Sequence, residues 1–68
     1  MNIDQLKEYY EAFALPFVMD VYESDAIPDI PARREAWNNM MDGLEREGSI
    51  TEEQAFDDAG LPDCYEGI

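Results

Sequence analysis

Residues 29–54 read DIPARREAWNNMMDGLEREGSITEEQ, a helix, a tight stop and the capped start of another helix. Asp29 is an N-cap residue, and Pro31 fits a first helical turn because its missing N–H needs no partner there. Ala36, Trp37, Met40, Met41 and Leu44 then recur at steps of three and four, one face of an α-helix. Gly48 suits the left-handed position that ends such a helix. Thr51 with Gln54 forms a capping-box pattern, and Ile50 is its apolar staple. The expectation is a central helix over about 30–47, then a capped turn and a short helix.

Working outward toward the N-terminus, Asn2 caps a first helix with Gln5 at its third position. Leu6, Tyr9, Tyr10 and Phe13 follow at helical spacing. Pro16 is expected to end or kink that helix, since it lacks the donor and clashes with the preceding turn. The stretch FVMDVY, residues 17–22, suits either a short helix with Pro16 at its first position or a strand. No second strand candidate exists to pair with it, so helix is favoured. Residues 24–30 form a linker. Toward the C-terminus, Ala55, Phe56 and Ala59 are the apolar members of a short helix that Gly60-Leu61-Pro62 stops. Beyond it, Tyr65 and Ile68 are candidates to dock. The fold class is all-α, a three- or four-helix domain over residues 1–68.

Sixty-eight residues support only a thin core, expected to lean on Trp37, the three Phe, several Tyr and the Met residues. Seventeen acids against four bases leave a net charge of −13. The charge is uneven: −6 over residues 1–31, −1 over 32–47 and −6 over 48–68. Such a balance excludes direct binding of nucleic acid and of anionic membranes, and favours a basic protein surface. Cys64 stands alone, so no intrachain disulfide is expected and a reducing, cytoplasmic compartment fits. No segment approaches the ~20 apolar residues that span a bilayer.

Catalytic and metal chemistry find little to work with. Aligning Gly48 with the sixth residue of an EF-hand loop puts Gly43 at the first position and Gln54 at the twelfth, where calcium needs carboxylates. Zinc lacks ligands, because the chain has no His and one Cys. Cys64 and the serines have no His base for nucleophilic catalysis. No enzyme, metal or cofactor is expected. Arg33 lying over Trp37, and Arg46 paired with Asp42, read as internal clamps.

The acids are the stronger functional signal. Asp4, Glu8 and Glu11 share a helix face, which Asp20 and Glu23 extend; Glu52, Glu53, Asp57 and Asp58 form a second group. Helix turns stack carboxylates every ~5.4 Å, so such rows imitate the phosphates of a nucleic acid toward a cationic groove. The competing explanation is that the acids only keep the protein soluble. A role from a different class is a structural or adaptor protein, monomeric or homodimeric, that associates through an exposed Trp/Met helix face.

The segment RREAWNN, with Asp42, Leu44, Gly48 and Ile50-Thr51, resembles a stretch found in short uncharacterised phage proteins. The likeness covers residues 33–54 and implies a phage or prophage origin, with no activity to carry over. Small acidic phage proteins include inhibitors of host defence, so by analogy a non-enzymatic inhibitor of the anti-CRISPR or antirestriction type is expected. Its partner would be a basic nucleic-acid-binding host protein or complex in the host cytoplasm.

Overall fold

The computed structural model describes residues 1–66 and contains helices α1 (Ile3–Tyr9), α2 (Leu15–Tyr22), α3 (Ile30–Arg46) and α4 (Glu52–Asp57). A π-helical turn, Tyr10–Ala14, joins α1 to α2, and a 3₁₀ turn follows at Asp63–Tyr65. No strand occurs among the described residues, and FVMDVY is helical. Capping places the boundaries. Asn2 and Gln5 make a reciprocal capping box at the start of α1. The Asp29 side chain accepts from the Ala32 N–H at 3.1 Å, opening α3 ahead of Pro31. Gly48, at φ 83°, takes the left-handed conformation that closes α3. Thr51 caps α4, but only half of its box forms, because the Gln54 side chain donates instead to the Met1 carbonyl.

Pro16 lies at the start of a short second helix, as expected, but it does not interrupt the helical backbone before it. Helical backbone continues from Ile3 to Tyr22, and Pro16 falls in the first positions of α2. The preceding π turn explains this. The Leu15 N–H bonds to the Tyr10 carbonyl, five residues back, so the turn ahead of Pro16 is wider than an α turn. Widening relieves the clash a proline ring would otherwise meet, and the rod absorbs the residue.

The π turn also sets the register of the core. Tyr10 and Val18 are eight positions apart, roughly 80° out of line on an unbroken α-helix. Taking up one extra residue in the turn rotates α2 back by about 100° and turns Val18 to the same side of the rod as Tyr10 and Leu6. All three are buried, and Leu6 and Tyr10 pack in one cluster with Trp37, Met41, Leu44, Ile50 and Tyr65. Tyr10 lies 4.8 Å from Tyr65 and 5.3 Å from Trp37, ring centre to ring centre.

The phenylalanines are not in this core. Phe13, Phe17 and Phe56 are 69%, 60% and 83% exposed. Phe13 and Phe17 sit one residue before Ala14 and Val18, about 100° round the rod from its inner face. Phe56 rides on α4, which buries no residue fully. The accessible surface is 4586 Å², close to the roughly 4,400 Å² of a folded monomer this size.

A buried ion pair ties the two halves together. Arg33 Nε and Nη2 donate to Glu23 Oε2 and Oε1 at 2.7 and 2.8 Å, a bidentate pair. Glu23 also accepts from the Asp29 N–H at 3.1 Å, and Arg33 Nη1 donates to the Tyr65 carbonyl at 3.1 Å. Arg33 thus clamps Glu23 and the C-terminal turn, instead of lying over Trp37. The Trp37 indole N–H donates to the Asp58 carbonyl at 2.9 Å, which fixes the end of α4. Tyr65 docks as expected, whereas Ile68 lies outside the described residues.

Candidate interaction surfaces

Two surfaces stand out, an acidic edge on the N-terminal rod and an apolar groove beside it. Asp4, Glu8, Glu11 and Asp20 are all exposed on the rod. Twelve residues separate Glu8 from Asp20, roughly 120° of rotation on an uninterrupted α-helix. The π turn removes about 100° of that, so Asp20 returns to the Glu8 side. The wide turn that buries Val18 also aligns these four acids along one edge.

Glu23 does not belong to that edge. Its side chain is only 5% exposed and is held by Arg33. Those hydrogen bonds lower its pKa against the opposing effect of burial, and the same pair raises that of Arg33. Removing its charge breaks the clamp, so it is unsuited to a partner. Glu11 has a second duty, because its carboxylate accepts from the Tyr65 hydroxyl at 2.7 Å. Burial first, and then this bond, raise the Tyr65 pKa far above its usual value. In the second group, Glu52, Glu53 and Asp57 are exposed while Asp58 is half-buried, with its backbone holding Trp37. The three arginines meet acids: Arg33 with Glu23, Arg34 with Glu66 at 2.9 Å, and Arg46 with Asp42 at 3.0 Å. The last matches the expected clamp.

The groove runs between the rod and α3. At one end Tyr9, Phe13 and Phe17 face Ala36, Met40 and Gly43, enclosing about 440 Å³. A smaller hollow of about 80 Å³ adjoins it, sharing Phe17, Ala36 and Asn39 and reaching Tyr22 and Ala32. Glu47 lines the first part and Glu35 the second; no Lys or Arg lines either. This is not the Trp/Met face expected for an adaptor, because Trp37 and Met41 are core residues and only Met40 reaches the groove. The signal was present as Tyr9-x₃-Phe13-x₃-Phe17 opposite the smaller Ala36 and Gly43. Apolar stripes at helical period usually face inward, so the sequence alone assigns these rings to the core.

Gly43, the first position of the tested calcium loop, lies within α3, so the loop does not exist as such. Among the described residues no cluster of three or more His, Cys, Asp or Glu is arranged to hold a metal ion. No helix among them is long and apolar enough to cross a membrane. In comparisons with protein-family models, curated proteins and solved structures, nothing matches this chain.

Proposed function

We propose that this is a non-enzymatic binding protein that imitates nucleic-acid charge and occupies a cationic surface of a host defence complex, as an anti-CRISPR or antirestriction inhibitor does. The observation that carries it is the acidic edge of Asp4, Glu8, Glu11 and Asp20, exposed along one helical rod. An edge of this kind supports association with a surface built for phosphates, because carboxylates repeat along it near the pitch of a helix. Glu52, Glu53 and Asp57 add a second exposed group; Glu23 is assigned to the fold instead. An adaptor role is the second reading, and the groove favours it over the buried Trp/Met stripe. Immobilised protein challenged with bacterial lysate tests the proposal. Nucleic-acid-binding proteins are expected to be retained, then released by duplex DNA and by salt. Retention that neither DNA nor salt reverses contradicts it.

A further inference from the structure

We infer that the groove between the N-terminal rod and α3 is a docking site for a basic amphipathic helix of a partner protein. This inference does not depend on charge mimicry by the acidic edge. Its lining is mostly apolar: Tyr9, Phe13 and Phe17 on one side, Ala36 and Met40 on the other. Two adjoining depressions, one large and one small, share Phe17, Ala36 and Asn39 and together line α3 from Ala32 to Glu47, about 22 Å or four helical turns. That length accepts a helix of about 15 residues with anchors at i, i+3, i+4 and i+7.

Charge decides the occupant. The charged side chains lining the groove are Glu35 and Glu47, with no base among the lining residues. A second copy of this chain would bring another −13 to the same face, which opposes self-association. Lys or Arg beside the apolar anchors of an incoming helix would instead meet Glu35 and Glu47 at the two ends. Phe13 and Phe17, largely exposed, are the anchors' main contacts.

The test uses a synthetic 15-residue peptide with Leu at i, i+3, i+4 and i+7 positions and Lys elsewhere. Two controls accompany it: a permuted peptide of the same composition, and a version with Glu in place of Lys. Calorimetric titration is paired with circular dichroism of the mixture. The amphipathic Lys peptide is expected to bind and gain helix, with both controls at least about tenfold weaker. Phe13→Ser/Phe17→Ser is expected to weaken it by about a hundredfold or more, since both apolar contacts are lost at once. Both rings are solvent-facing, so this variant keeps its melting transition. Asp4→Asn/Glu8→Gln/Asp20→Asn reads the acidic edge separately, and peptide binding at moderate salt is expected to survive it within about threefold, because none of the three lines the groove. Equal binding of the permuted peptide, or an undiminished affinity in the Phe variant, overturns the inference. So does a dimer in sedimentation that Phe13→Ser/Phe17→Ser disperses, because the occupant would then be a second copy.

Discussion

Arg33 is the residue on which the most separate pieces of structure converge. It holds Glu23 from the end of α2, reaches the Tyr65 carbonyl, and its own carbonyl accepts from the Tyr10 hydroxyl at 3.3 Å. Burial raises the Tyr10 pKa, so this hydroxyl stays a donor at neutral pH. Glu23→Gln keeps the shape but leaves Arg33 without its counter-charge, and is expected to destabilise by about 1–3 kcal/mol. The pH dependence follows from linkage. Folding holds the Glu23 carboxyl below its ordinary 4.5, so the pair's stabilisation is fully present above that value. It is lost as pH falls through the lower folded value. Urea titrations should therefore give a constant gap between wild type and Glu23→Gln near neutrality, narrowing below pH 4.5. A gap that widens in acid contradicts the assignment. Nothing local marks this pair in the sequence, because ten residues and a linker separate its members.

At the scale of elements, α3 carries its own instructions and the N-terminal rod does not. Asp29, Pro31 and Gly48 each act within a few residues, so the bounds of α3 are readable without knowing what packs on it. The π turn is different. Its cause is shared between Pro16 and the burial of Val18 on the inner side of the rod, and only the packed molecule reveals the second. The local rule for Pro16 places the start of α2 correctly but says nothing of the wide turn that joins it to α1. The same limit hid the groove: Phe13 and Phe17 look like core until the rotation of the rod is known. Gly43 offers a direct check on α3. A Cβ built there meets nothing within 4 Å, so Gly43→Ala removes backbone freedom at no steric cost. Thermal unfolding should show a gain of about 1 kcal/mol, and a loss would mean that the groove wall is closer than described.

For the whole molecule, charge is the dominant quantity. A net −13 on 68 residues opposes compaction, and the internal pairs of the three arginines offset little of it. Screening should therefore stabilise the free protein, with the midpoint of thermal unfolding rising between low and moderate sodium chloride. A midpoint that falls with salt would mean that attractive pairs outweigh the repulsion. Neutralising part of the acidic edge should act in the same direction as salt. Asp4→Asn/Glu8→Gln/Asp20→Asn is the suitable variant, because it spares Glu11 and the hydrogen bond from Tyr65. It therefore separates binding from folding.

The most direct measurement is a titration of wild type and of this triple variant against a retained nucleic-acid-binding partner, at low and moderate salt, with duplex DNA as competitor. Exposed pairs contribute ~0–1 kcal/mol each, so losing three carboxylates should weaken binding by up to about a hundredfold at low salt. Wild-type affinity should fall as salt rises, the variant's less steeply, and DNA should displace both. Equal affinities for the two proteins, unchanged by salt and untouched by DNA, would contradict charge mimicry and leave the acids a role in solubility alone.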